Sequence, residues 1–119
     1  MSVGQFVFML HSHLPYYRKA GMWPFGEENL YECMAETYVP LLNAISELYD
    51  EGIKAKLTVG ITPILAEQLA DEHLQHGFVE YIDSRIKSVS KDLERYPDPT
   101  VAHSQHLKYL AKVLLWFME

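Results

Sequence analysis

An uninterrupted apolar run at residues 6–10, Phe-Val-Phe-Met-Leu, constrains the fold more than any other part of this sequence. The run has the length of one strand and does not alternate between apolar and polar residues. Uninterrupted apolarity is typical of a strand that is covered on both faces, as in a parallel sheet. Pro15 lies shortly beyond it and cannot donate a ladder hydrogen bond, so the strand must end before that position.

The segment that follows the first loop, residues 29–50, has the periodicity of a helix. Its apolar residues recur three or four positions apart: Leu30, Met34, Tyr38, Leu41, Ile45 and Leu48. Pro40 interrupts the run, so the sequence predicts either a kinked helix or a second helix that begins near Thr37. Gly52 is well placed to end this helical region in the left-handed conformation.

A second strand is predicted at residues 53–61, where apolar and polar side chains alternate. Strand, helical connection and strand together predict a βαβ unit with parallel strands and a right-handed crossover. Thr62 and Pro63 then have the residue types of an N-cap and a first helical position, so they predict a short helix to about residue 70. Asp71 is suited to cap the next helix.

The remainder of the chain is predicted to be helical. One amphipathic stripe predicts a long helix, and its residues are Leu74, Phe78, Ile82, Ile86, Val89, Leu93 and Tyr96. Residues 96–100, Tyr-Pro-Asp-Pro-Thr, predict a turn. A last helix is predicted from about Ala102, with Leu107, Leu110, Leu114 and Phe117 on its apolar face.

Length limits what these elements can form. The chain has 119 residues, which predicts one domain over residues 1–119. Two parallel strands do not close a sheet, and a complete β/α barrel needs about 250 residues. We therefore expect an incomplete α/β fold, whose exposed apolar faces favour self-association.

Composition excludes several classes of protein. Ten basic residues against sixteen acidic ones give a net charge of −6, so the chain lacks the basic surplus expected of a nucleic-acid-binding protein. Its apolar stretches are too short to span a membrane, and its beginning does not resemble a signal peptide. The lone Cys33 cannot form an internal disulfide. These features predict a cytoplasmic protein.

Candidate site residues cluster just after the first predicted strand. His11 and His13 are two positions apart, so on an extended backbone they project to the same side. Sites in parallel β/α folds gather at the carboxyl ends of strands. There the two imidazoles, beside Tyr16, Tyr17 and Trp23, could hydrogen-bond a polyhydroxylated ligand while the aromatic rings stack on it. Residue spacing alone equally allows both histidines to be structural.

Two other chemistries deserve comparison with this site. A His-x-His pair can supply two zinc ligands, but zinc usually takes a third protein ligand. The remaining histidines are predicted on helix surfaces, so we expect no metal: His73, His76, His103 and His106. Glu27 and Glu28 could be a glycosidase pair, but adjacent carboxylates rarely converge on one bond, and a helix N-terminus explains them better.

Several segments together resemble glycoside hydrolase family 57, in particular its 1,4-α-glucan branching enzymes. They are residues 11–16 (His-Ser-His-Leu-Pro-Tyr), residues 23–32, residues 36–42 and residues 57–69. The likeness covers residues 4–112, and combined motifs of that length are far more specific than His-x-His alone.

This resemblance implies part of a (β/α)7 barrel that acts on α-1,4-glucan by a retaining mechanism, without metal or other cofactor. His11 and His13 would help to bind the sugar at the catalytic subsite, and Trp23 would stack near it. The nucleophile Glu and the general acid/base Asp of the family lie on later barrel strands. The resemblance therefore assigns no catalytic residue here and implies an N-terminal portion that is inactive alone.

Two alternatives remain open at the level of sequence. The chain could be a non-catalytic glucan-binding remnant that uses its aromatic loop. It could also be half of a metal-dependent hydrolase site built on His11 and His13.

Overall fold

A computed structural model of the chain describes residues 3–97 and 102–116. For residues 102–104 and 114–116 it describes the backbone only. The chain forms two compact units, Met1–Gln75 and His76–Glu119. The elements in order are β1 (Met9–Ser12), α1 (Glu27–Cys33), α2 (Val39–Asp50), β2 (Thr58–Ile61), α3 (Pro63–Ala70), α4 (Glu72–Arg95) and α5 (Ala102–Trp116). A π-helical turn, Met34–Tyr38, joins α1 to α2. The predicted mixture of parallel strands and helices is confirmed.

The two strands pair in parallel, as predicted, with Met9 opposite Thr58 and Ser12 opposite Ile61. Their bounds differ from the prediction. Both strands are only four residues long, and β1 is shifted toward the histidines, so that His11 lies within it. The ladder extends only where both strands run side by side: the Phe8 carbonyl oxygen still accepts from the Thr58 N–H at 3.0 Å, and the paired residues begin at Met9.

The prediction that the first strand is covered on both faces is wrong for the structure described here. Phe6 is 89% exposed, Val7 is 73% exposed and Met9 is 52% exposed. One face of a two-stranded sheet can be covered by its own helical crossover, but the opposite face needs further structure. Of the apolar run, only Met9 and Leu10 lie in β1, and residues 3–97 and 102–116 do not supply the burial that the run indicates.

The helical region between the strands contains a local irregularity next to its proline. The π-helical turn ends at Tyr38, and Pro40 then falls in the first turn of α2. The Val39 N–H donates to the Met34 carbonyl oxygen across this wider turn, and Pro40, which has no N–H to donate, follows it directly. A second helix near Thr37 was one of two predicted outcomes, and α2 begins two residues later, at Val39. Gly52 has φ +77°, which confirms the predicted left-handed helix end.

The core of the first unit is small. Leu30, Tyr31 and Leu65 are fully buried, and Leu74 is 1% exposed. Each such side chain contributes about 2 kcal/mol through removal of apolar surface from water. Both predicted caps are confirmed: the Leu65 N–H donates to Thr62 Oγ1, and the Leu74 N–H donates to Asp71 Oδ1 at 3.2 Å.

In the second unit, the predicted stripe of α4 supplies the buried residues Ile82 and Val89, and Leu107 of α5 is also buried. Tyr96 departs from the stripe with 42% exposure, because α4 ends one residue before it. The side chain of Leu114, the residue Phe117 and the end of the predicted turn lie outside the described residues. Among the described helices, none has the length and hydropathy required to cross a bilayer.

Candidate functional site

The carboxyl end of β1 carries the first of the predicted site residues. His11 is exposed and lies opposite Gly60 of β2 in the sheet register. A Cβ atom built on Gly60 would lie 3.6 Å from His11 Nδ1, so the imidazole rests directly over the glycine backbone. His13 follows the strand and is exposed as well. Neither ring is enclosed in the core, so both imidazoles can be reached by a ligand.

The aromatic residues predicted to accompany the histidines are also open to solvent. Trp23 is 78% exposed and Tyr16 is 61% exposed, while Tyr17 is partly buried. The peptide bond between Trp23 and Pro24 is cis. Over the described ranges, no hydrogen bond or ring contact joins Trp23 to either histidine. The fold brings His11 to the strand edge and presents Trp23 separately on the loop that leads to α1.

The backbone directly after His13 is held by a buried amide. Gln68 of α3 is 1% exposed, and its Oε1 accepts a 2.6 Å hydrogen bond from the Tyr17 N–H. Its Nε2 donates to the Pro15 carbonyl oxygen at 3.0 Å. Because both ends of the amide are used, Gln68 fixes two points of an otherwise irregular segment. Gln68 was not predicted as a site residue, because an amide in an apolar helix has no sequence pattern that identifies its partner.

An ion pair adds a third attachment to the same segment. Arg18 Nε lies 2.5 Å from Asp71 Oδ2, the carboxylate that also caps α4. Burial raises the pKa of Asp71, but the hydrogen bond from Arg18 and those from backbone N–H groups outweigh that effect and lower it overall. The predicted cap residue therefore has a second role, which is to hold the loop.

Glu27 is a buried carboxylate with three hydrogen-bonding partners. It is 7% exposed, and its Oε1 accepts from the Lys19 N–H at 2.7 Å and pairs with His73 Nε2 at 2.9 Å. Its Oε2 accepts from the Tyr31 hydroxyl at 3.1 Å. Burial raises the pKa of Glu27, while the hydrogen bonds from Lys19, His73 and Tyr31 lower it more, so the carboxylate is favoured.

The predicted position of Glu27 at a helix N-terminus is correct, but the prediction did not include its burial and hydrogen bonding. Glu27 and Glu28 do lie in the first turn of α1, as expected from the helix dipole. The burial of Glu27 was not predicted, because its partner His73 lies 46 residues further along the chain. The prediction that His73 is a helix-surface residue is right in part, since its side chain is 51% exposed yet paired with a buried acid.

Backbone contacts close the loop that carries Trp23. The Glu27 N–H donates to the Gly21 carbonyl oxygen at 2.8 Å, and the Glu28 N–H donates to the Met22 carbonyl oxygen at 3.3 Å. A Cβ atom at Gly26 would lie 1.9 Å from that same Gly21 oxygen, so this closure requires glycine.

A separate groove of about 300 Å³ lies within the same unit and has almost wholly apolar walls. Its lining residues are Ser12, Tyr38, Leu41, Leu42, Ile45, Val59, Ile61, Leu65 and Leu69. His11 and Trp23 do not line it, so it is distinct from the candidate site. Within the described ranges, no three His, Cys, Asp or Glu residues are grouped as metal ligands would be.

The parallel strand pair and its helices form a mixed α/β fold, in which His11 lies at the carboxyl end of β1. The sequence profile of "Glycosyl hydrolase family 57" matches residues 7–117. The chain belongs to this family.

Its relatives include several branching enzymes. The chain is 44% identical over 110 residues to a 1,4-alpha-glucan branching enzyme of Thermococcus kodakarensis, an alignment that covers 92% of the chain and 16% of that relative. The crystal structure of the GH57-type branching enzyme from Pyrococcus horikoshii superposes with a TM-score of 0.84 at 40% identity, covering 94% of this chain and 22% of that one.

A structure of the Thermococcus kodakaraensis GH57 branching enzyme in complex with glucose and additives superposes with a TM-score of 0.79 at 42% identity. It covers 94% of this chain and 20% of that one. The chain thus spans about a fifth or less of the length of these relatives.

Proposed function

We propose that this chain forms the first strands of the catalytic barrel of a retaining 1,4-α-glucan branching enzyme and contributes glucan-binding side chains to it. The residues that bind the glucan are His11, His13 and Trp23. The observation that carries the proposal is the exposed imidazole of His11, which lies over Gly60 at the carboxyl end of a parallel strand pair. Membership of glycosyl hydrolase family 57 and the likeness to branching enzymes support the same assignment.

The reaction assigned to the complete enzyme needs two carboxyl groups. One attacks the anomeric carbon and forms a glycosyl-enzyme ester, while the other protonates the leaving oxygen; a glucan 6-hydroxyl then takes up the glycosyl group and loses its proton to the second carboxylate. Glu27 is poorly suited to either step, because its two oxygens already accept from Lys19, His73 and Tyr31. We therefore place both catalytic acids in polypeptide outside these 119 residues and expect no cofactor.

The exposed apolar side chains at the start of the chain support the proposal that the two strands belong to a larger sheet. Phe6, Val7 and Met9 are each more than half exposed, although their residue types are those of a covered strand. The relatives are several times longer than this chain, so they contain ample polypeptide to supply neighbouring strands. We propose that the two strands belong to a (β/α)7 barrel and that the isolated chain self-associates through this surface.

Titration with maltoheptaose tests the binding residues on the chain as it exists. We expect saturable binding that is lost in His13→Ala and in Trp23→Ala. His106→Ala and Tyr109→Ala are matched controls, because both residues are exposed on α5 in the second unit. Equal binding by all four variants would remove His13 and Trp23 from the site.

A branching assay tests the placement of the catalytic acids. The pure 119-residue chain should show no glucan hydrolysis or branching above a blank. Measured turnover would contradict the proposal, because both acids would then have to be local.

A chimera separates an enzyme segment from a non-catalytic remnant. Residues 7–117 would replace the aligned segment of the Thermococcus kodakarensis branching enzyme. Retained branching that falls with His13→Ala supports an enzyme segment, whereas a folded but inactive chimera would favour a remnant that only binds glucan.

A further inference from the structure

The segment between β1 and α1 is held by side chains from distant parts of the chain. Gln68 binds it at Pro15 and Tyr17, and Glu27 binds it at the Lys19 N–H. The Glu27 N–H donates to the Gly21 carbonyl oxygen, two residues before the exposed Trp23. Glu27 thus contacts this segment twice, once through its side chain and once through its backbone.

Glu27 is more buried and has more hydrogen-bond donors around it than a carboxylate at a helix N-terminus requires. A first-turn carboxylate interacts favourably with the helix dipole while fully exposed, so the dipole alone does not explain why the Glu27 side chain is only 9% exposed. Burial of a charged group is unfavourable unless donors compensate it, and here three donors come from the loop, from α1 and from α4. The carboxylate is therefore a junction between the loop and two helices.

Backbone geometry beside the carboxylate points to the same role. Lys19 has φ +61°, a left-handed conformation that is unusual for a residue with a Cβ atom. Such conformations persist where surrounding contacts determine them, and the Lys19 N–H is the group that donates to Glu27 Oε1.

We infer that Glu27 is a positioning residue, whose buried carboxylate holds the loop backbone at the Lys19 N–H and thereby helps to set the place of Trp23 for glucan binding. The part of this inference that concerns glucan rests on the proposed function, whereas the part that concerns the loop does not. Glu27 itself does not contact the sugar.

The experiment uses the full chain with Trp116→Phe, which leaves Trp23 as its single tryptophan. Glu27→Gln keeps the size of the side chain but removes the charge that the Lys19 N–H binds. Tyr31→Phe is the matched control, because it removes a different donor from the same carboxylate and leaves the loop contact in place. The readouts are fluorescence anisotropy of Trp23, hydrogen exchange of peptides that contain Lys19, and the Kd for maltoheptaose.

In Glu27→Gln we expect exchange at Lys19 to accelerate by about tenfold, as expected for loss of a hydrogen bond to a charged acceptor. The Trp23 anisotropy should fall, and maltoheptaose should bind several-fold more weakly. Tyr31→Phe should lower thermal stability without changing those three readouts. If Glu27→Gln fails to fold, Glu27→Asp keeps the charge but shortens the side chain by one methylene, which draws the carboxylate away from the Lys19 N–H and should give the same anisotropy and affinity changes.

Unchanged anisotropy and exchange in Glu27→Gln would overturn the inference. Equal loss of affinity in Tyr31→Phe would also overturn it, because the effect would then follow stability rather than loop position. A parent chain that binds no maltoheptaose would instead count against the proposed function, while anisotropy and exchange would still decide whether Glu27 positions the loop.

Discussion

The loop that carries Trp23 has its backbone held by hydrogen bonds, whereas the two-stranded sheet leaves much of its apolar surface in contact with water. The loop is irregular and rich in polar contacts, yet buried Gln68 and Glu27 hold its backbone at Pro15, Tyr17 and Lys19. The sheet is regular and apolar, yet Met9 and the residues before it are largely exposed. The irregular loop is therefore well bonded to the rest of its unit, whereas the regular strand pair leaves apolar side chains exposed.

The comparison shows which parts of the proposed site are determined locally. The loop conformation depends on partners within residues 15–73, all of which are present in the chain. The environment of the sheet depends on surface that the described residues do not provide. Substitutions in the loop should therefore change stability, whereas substitutions on the exposed apolar segment should change association.

Gly26→Ala should have the largest effect. Its Cβ atom would lie 1.9 Å from the Gly21 carbonyl oxygen, so the backbone must shift, and we expect the free energy of unfolding to fall by about 3 kcal/mol. Gly60→Ala in the sheet is the matched control, because its Cβ atom would make an ordinary 3.6 Å contact with His11 Nδ1. Urea denaturation measures both, and equal losses would contradict the distinction between loop and sheet.

Glu27→Gln should lower the free energy of unfolding by about 2 kcal/mol at pH 7, because hydrogen bonds to a charged acceptor are lost. The pKa of Glu27 is lowered on folding, so its contribution is present above its ordinary value of 4.5 and is lost as pH falls through the folded value. The difference between parent and variant in urea denaturation should shrink in acid. Glu67→Gln, at an exposed position on α3, should show no such trend.

Lys19→Gly should stabilise the chain by about 0.5 kcal/mol, because glycine adopts φ +61° without steric cost but loses more entropy on folding. Lys19→Ala keeps the Cβ atom and should give no gain. A thermal melt of both variants checks this, and equal melting temperatures would mean that the left-handed conformation is not strained.

The smallest effect on stability is expected from Phe6→Lys combined with Val7→Lys, within about 0.5 kcal/mol, because both side chains are already exposed. The same pair should reduce self-association in sedimentation velocity, since charge interrupts the apolar segment. Tyr49→Lys, at an 81% exposed position on α2, serves as the control and should leave association unchanged. A parent chain that is monomeric at all concentrations would refute the proposed self-association.

Much of the fold was predictable because its signals are local. Thr62 and Asp71 were identified as caps, and Gly52 as a left-handed helix end, from residue type and immediate neighbours. The parallel strand pair followed from two strand-forming segments separated by a helical one. The strand bounds could not be predicted as well, since a ladder forms only where a partner strand runs alongside.

The candidate site was predictable only in its residue types. His11, His13 and Trp23 were identified by position and by resemblance, and their roles remain predictions. The role of Gln68 was not predicted, because its partners Tyr17 and Pro15 lie 51 and 53 residues away and such hydrogen bonds have no sequence pattern. Glu27 was placed correctly at the start of α1, but its burial against His73, 46 residues further along, was not predicted.

The sequence by itself determined the caps at Thr62 and Asp71, the left-handed helix end at Gly52, and the family to which the chain belongs. Capping, periodicity and motif identity are short-range properties, and the order of strands and helices follows from them. Tertiary structure alone decided which polar groups are buried, that Gly26 must lack a side chain, and that an apolar strand segment is exposed. These outcomes depend on which residues distant in sequence come into contact. The free energy of burying a polar group depends on whether such a contact supplies a hydrogen-bond partner, and residue type alone does not determine this.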